Sequence, residues 1–156
     1  MLNRVLDNRM LNKRLGKKVL FIEGLPFTKD KIMPFIKENK VTKVFCLSPV
    51  DYTQSKYAEQ TNQKEYEQTC LDVYSELKKR KIKIIPHIHL KADTIYREAR
   101  RKIRQTIKWF GDNGISTDEI CFGWWLECNN FEKICEELNI KKISKRQFHY
   151  YDFWKK

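Results

Sequence analysis

His87 and His89 are two of the chain's three histidines, and they stand two residues apart in Ile82-Lys83-Ile84-Ile85-Pro86-His87-Ile88-His89-Leu90. The apolar run reads as a strand. Strand side chains alternate between faces, so both imidazoles are expected to point the same way from its far end. Two imidazoles on one face can grip one metal ion. A third ligand is offered by Glu23, which closes a second apolar run, Lys18-Val19-Leu20-Phe21-Ile22-Glu23-Gly24, where a strand gives way to a loop. If the two strands are parallel neighbours, Glu23, His87 and His89 converge at one sheet edge. Such a two-His, one-carboxylate set suits zinc, iron or manganese and leaves positions open for water or substrate.

Bringing these residues together requires a particular order of elements. Residues 1–17 carry an apolar stripe (Leu2, Val5, Leu6, Met10) between Arg4, Arg9, Lys13 and Arg14, the pattern of a basic leading helix or arm. Residues 18–156 read as a single α/β domain. After the first strand, Thr28 is placed to cap a helix with Ile32, Phe35 and Ile36 on one face, although Pro34 sits awkwardly inside it. Val41 to Leu47 reads as the second strand, and residues 51–64 as a polar loop or helix start. Tyr66, Cys70, Val73, Tyr74 and Leu77 recur at helical intervals, and the helix closes on Lys78-Lys79-Arg80-Lys81, where positive charge suits the helix dipole.

Beyond the two histidines, Asp93 or Thr94 is expected to cap a helix with Ile95, Ala99, Ile103, Ile107 and Phe110 in its apolar stripe. Its opposite face bears Arg97, Arg100, Arg101, Arg104 and Lys108, positioned either for solvent or for phosphates. Glu119 to Leu126 gives an aromatic fourth strand containing Trp124 and Trp125. A helix with Phe131, Ile134, Cys135 and Leu138 follows, then a short strand at Lys141–Ile143 and an aromatic tail containing His149. The alternation predicts an α/β fold: a largely parallel sheet, or a distorted (β/α) barrel, of five or more strands with alternating helices. Ligands of such folds bind beyond the carboxyl ends of the strands, and Glu23, His87, His89, Trp124 and Trp125 all fall at or near those ends.

Composition narrows the classes. At 156 residues, 41% hydrophobic and 13% aromatic, the chain can bury one core and does not read as disordered. No run has the length of a membrane span, and the first residues lack a signal-peptide core. The five cysteines lack paired CxxC spacing and fall mostly in apolar positions, as expected of reduced thiols in a cytoplasmic protein. A formal net charge of +12 favours polyanionic partners, nucleic acid included, without implying specificity.

The run Val19-Leu20-Phe21-Ile22-Glu23-Gly24, with Pro26, Thr28 and a helix after it and then Val41-Thr42-Lys43-Val44-Phe45-Cys46-Leu47, resembles the opening of polysaccharide deacetylases of the NodB-homology type. In that family a strand ends T-F-D-D-G-P, and a later strand carries metal-binding histidines. A long charged helix follows, then an F-R-P-P strand and a helix ending E-L-G. Tyr66 to Lys81, His87 and His89, Thr94 to Phe110, Phe122-Gly123-Trp124-Trp125 and Phe131 to Asn139 follow the same order.

The resemblance implies a divalent-metal-dependent hydrolase, with zinc the first choice of ion, acting on N-acetyl groups of a carbohydrate. For that chemistry this chain offers Glu23, His87 and His89 as ligands, Asp93 or a neighbouring carboxylate as a substitute base, His149 as acid to the leaving amine, and Trp124 and Trp125 as sugar-stacking planes. The chain departs from the family where its chemistry is done. Ile22 stands in the place of the base aspartate and Gly123 in the place of the arginine that orients it, and the histidines are two residues apart instead of four. These departures equally fit an inactive, metal-free member of the same fold kept as a binding or scaffold protein. A third reading is a toprim-like or other basic α/β nucleic-acid-binding protein using Arg97, Arg100, Arg101 and Arg104. A toprim domain needs an acidic D-x-D pair for Mg²⁺ where this chain has His87-Ile88-His89.

Overall fold

Short apolar runs that alternate with amphipathic segments closed by lysine, glycine or asparagine form a wound α/β sheet. A computed structural model describes residues 19–22, 29–50, 62–122, 128–143 and 151–152. In chain order the elements are β1 (Val19–Ile22), α1 (Lys29–Glu38), β2 (Lys43–Leu47), α2 (Gln63–Lys79), β3 (Lys83–Ile88), α3 (Tyr96–Asp112), β4 (Glu119–Phe122), α4 (Phe131–Glu137), β5 (Lys141–Ile143) and β6 (Tyr151–Asp152). The strands β2 to β5 form a parallel sheet in which every crossover carries a helix, and β1 and β6 continue it in the order β5-β4-β3-β2-β1-β6. No pairing among the described residues closes it into a barrel.

Because β1 to β5 are neighbours in sequence order, same-handed crossovers must place their helices on one face. The packing agrees. Val44, Cys46 and Ile84 are buried under α1 and α2, and Ile88, Ile120 and Phe122 under α3 and α4. The opposite face carries Phe45, Ile85, His87 and Cys121, each with no exposed surface, together with the nearly buried Ile143. Both faces of the sheet are therefore buried, as parallel strands require.

All four described helix-to-strand connections are built alike. Each helix ends with a residue at positive φ, namely Lys40 (51°), Lys81 (57°), Gly114 (74°) and Asn139 (53°). The next residue is aliphatic and donates its N–H back across the last turn: Val41 to the Ile36 carbonyl at 3.0 Å, Ile82 to Leu77 at 3.0 Å, Ile115 to Phe110 at 2.8 Å, and Ile140 to Cys135 at 2.8 Å. This is the Schellman arrangement, which satisfies otherwise orphaned carbonyls and turns the chain toward the next strand.

Several sequence expectations need correction. The second strand begins at Lys43 instead of Val41, because Val41 is spent closing the turn after α1. The third strand stops at Ile88, so His89 lies just beyond it. Neither Asp93 nor Thr94 caps α3; the cap position is Ile95, which offers no side-chain bond, while the Thr94 N–H closes a turn onto the Lys91 carbonyl at 3.0 Å. Asn62, by contrast, caps α2 by accepting from the Glu65 N–H at 3.0 Å. Pro34 is accommodated inside α1 with its ring on the exposed side. Residues 1–17 lie outside the described residues.

Candidate functional site

β3 delivers its carboxyl end between those of β2 and β4, and His87 pairs in register with Leu47 on one side and Cys121 on the other. Its odd-numbered position puts it on the face away from the helices. His87 is fully buried, whereas His89 is partly exposed. The two rings meet edge to face, with centroids 5.3 Å apart and planes at 78°. The alternation that predicts a shared direction for the pair is consistent with this contact, even though β3 ends between them.

Burial, reinforced by the neighbouring His89, holds the His87 imidazole well below its usual pKa, while a hydrogen bond with the Phe45 backbone pulls weakly the other way. His87 is therefore neutral at pH 7, the form in which an imidazole nitrogen can bind a metal. The β2 end beside it is fixed by two contacts. The Ser48 N–H donates to the His87 carbonyl at 3.1 Å, and the Tyr74 hydroxyl donates to the Leu47 carbonyl at 2.6 Å. Beneath the helices, the Ser48 and Thr106 hydroxyls share a buried hydrogen bond of 3.1 Å.

The other proposed site residues are distributed unevenly. Asp93 is exposed in the turn after β3, and the described residues contain no cluster of three His, Cys, Asp or Glu side chains that could hold a metal ion. Glu23, Trp124, Trp125 and His149 lie outside the described residues. On α3, Arg97, Arg101 and Arg104 are exposed, while Arg100 pairs with Glu137 at 3.3 Å, a carboxylate that also accepts from the Tyr96 hydroxyl. Arg101 donates to Gln105 at 3.3 Å.

Sequence reading missed Cys121 as a neighbour of His87, since that proximity depends on the β3–β4 register. It also missed a cleft of about 560 Å³ in the connection between β4 and α4, lined by Cys128, Asn129, Asn130, Phe131 and Glu132 among others. This connection is tied to the one after β3 by the Asn129 N–H, which donates to the Ala92 carbonyl at 2.9 Å. Asn130, in the left-handed region at φ 64°, makes the turn into α4, and an asparagine at a turn is its sequence signal.

Among protein-family models none matches this chain, and none of the curated proteins compared with it does either.

Proposed function

We propose that the chain is a divergent polysaccharide deacetylase-like protein: a metal-dependent hydrolase of N-acetyl groups on carbohydrate, built on a largely parallel sheet of five or more strands. The observation that carries this reading is the His87–His89 pair at the carboxyl end of β3, on the face turned away from the described helices, with His87 neutral. Two imidazoles sharing one ion at ~2.1 Å would have ring centroids roughly 5 Å apart, and the separation of 5.3 Å fits that demand. β1 pairs with β2 up to Ile22 and Cys46. Glu23 follows Ile22 directly in the sequence, as Leu47, the partner of His87, follows Cys46.

On this reading Glu23, His87 and His89 hold a divalent ion, zinc by donor chemistry. When bound, the ion polarises the amide carbonyl and lowers the pKa of water toward ~7. Asp93 takes the proton of the attacking water, His149 protonates the departing amine, and Trp124 and Trp125 offer planes to the sugar rings. Burial keeps His87 in its neutral, ligating form, and the Ser48 and Tyr74 contacts fix the strand ends around it. With Ile22 and Gly123 at the family's base and arginine positions, turnover is expected to be slow.

Elemental analysis of the purified protein tests the site, with Glu23→Ala and His89→Ala beside it. Near-stoichiometric metal that falls at least tenfold in either variant is expected; a metal-free wild type overturns the reading. Release of acetate from N-acetylglucosamine oligomers tests the reaction separately, and metal without acetate would leave a binding protein. The nucleic-acid reading through Arg97, Arg100, Arg101 and Arg104 has weaker support, since Arg100 is committed to Glu137 and Arg101 to Gln105.

A further inference from the structure

The opposite end of the sheet, where the strands begin, gathers lysine. The connections α1–β2 and α2–β3 lie side by side, joined by the Lys83 N–H donating to the Thr42 carbonyl at 3.1 Å and by the pairing of Lys43 with Lys83. Each carries lysine at its left-handed position and again at the first strand residue: Lys40 and Lys43 in one, Lys81 and Lys83 in the other. The Lys78 ammonium extends over the third connection, close enough that a Cβ built on Gly114 would lie 2.6 Å from its nitrogen. Lys37, Lys40, Lys78, Lys79 and Lys81 form no ion pair among the described residues. The nearby acids are partly matched: Glu76 by Arg80, and Glu119 by Lys83 and Lys141.

The left-handed positions add a second, independent observation. A side chain there costs roughly 1–2 kcal/mol that glycine avoids. The other two connections of the same design use Gly114 and Asn139, the residues that tolerate it best. Lysine replaces them only in the two adjacent connections, so the backbone strain is accepted where it sets cations next to one another. Between the α2–β3 connection and the third lies a cleft of about 330 Å³ lined by Lys78, Lys81, Lys83, Gly114, Asp118 and Glu119 among others.

We infer that this lysine floor is a docking surface for the phosphate backbone of nucleic acid, separate from the histidine end of the sheet. Ammonium groups are point charges that neutralise phosphates without the forked geometry that reads bases, so binding is independent of sequence. The large hydrophobic residue exposed among those described is Ile95, which precedes α3 at the far end of the sheet; the described residues of the floor therefore present no apolar wedge of the kind that anchors a protein in a lipid surface.

The test is fluorescence anisotropy with a labelled DNA duplex of roughly 20 base pairs and an RNA duplex of the same length, titrated across salt. The proteins are the full chain, a Lys40→Gln/Lys78→Gln/Lys81→Gln variant, and an Arg97→Gln/Arg101→Gln/Arg104→Gln control; circular dichroism checks that each is folded. Each lost phosphate contact lowers the slope of log K against log salt by about 0.9, so the lysine variant is expected to lose about 2–3 in slope and at least tenfold in affinity at low salt. The arginine variant should retain most of the wild-type slope. The inference is overturned if the lysine variant binds like wild type, if the arginine variant alone loses binding, or if the wild type binds neither duplex but floats with vesicles containing phosphatidylserine.

Discussion

Lys40 and Lys81 hold the left-handed backbone that closes their helices, and a β-carbon there is a liability that glycine lacks. Lys81→Gly should therefore stabilise the fold by about 1 kcal/mol in urea unfolding, while Gly114→Ala, at φ 74° under the Lys78 ammonium, should destabilise it by a similar amount. The same signs at both positions would show that strain does not govern them. Thiol chemistry gives a second prediction. Burial pushes Cys70 up to about 12, and burial, aided by Cys70, also raises Cys46 well above the ordinary range. In the unfolded chain these thiols ionise near pH 8.5, so from about pH 9 upward the unfolded state holds fewer protons and stability falls as pH rises. Each thiol contributes a slope of about 1.4 kcal/mol per pH unit until its folded pKa is reached. Unfolding of Cys70→Ala measured between pH 9 and 11 should fall less steeply than wild type by about that slope; parallel curves would refute the assignment.

Helices were the most legible elements in the chain. The stripe Tyr66, Cys70, Val73, Tyr74, Leu77 marks the buried side of α2, and Ala99, Ile103 and Phe110 that of α3, because amphipathic spacing is written directly in the sequence. Lys141–Ile143 was likewise readable as a strand. Ends were less so. Val41 looks like a strand residue but closes a helix, and Asp93 looks like a cap although the true cap position carries Ile95, since both outcomes depend on which backbone groups the turn already satisfies. The β6 strand, Tyr151–Asp152, was unreadable because it exists only through pairing with β1, far away in sequence. For the candidate site, spacing indicated that His87 and His89 would face one way, but the nearness of Cys121 depends on register, which no single strand reveals. Asn62 gives this level its test. It caps α2 through the Glu65 N–H, so Asn62→Ala should lower stability by about 1 kcal/mol, whereas Asn62→Asp should stay within a few tenths.

Winding in one direction has a consequence for the whole molecule. A doubly wound sheet covers both faces with helices, but strands that succeed one another in order place all their crossovers on one side. The second face must then find its cover elsewhere, as the interior of a barrel does when its strands curl around their own side chains. Phe45 and Ile85, which face away from the helices and pair in register, belong to neither helix-packed cluster, yet both are fully buried. This separates two expectations for mutation. If the face turned away from the described helices were a wetted surface, Phe45→Ala would change stability by less than ~0.5 kcal/mol. With that face packed, Phe45→Ala should cost about 3–5 kcal/mol and Ile85→Ala about 2–5, comparable to Ile103→Ala beneath α3. Urea unfolding of the three variants decides between them. Because His87 shares the face with Phe45 and Ile85, a large cost at both would also mean that the imidazole sits in a dry environment, the condition that keeps it neutral and available as a ligand.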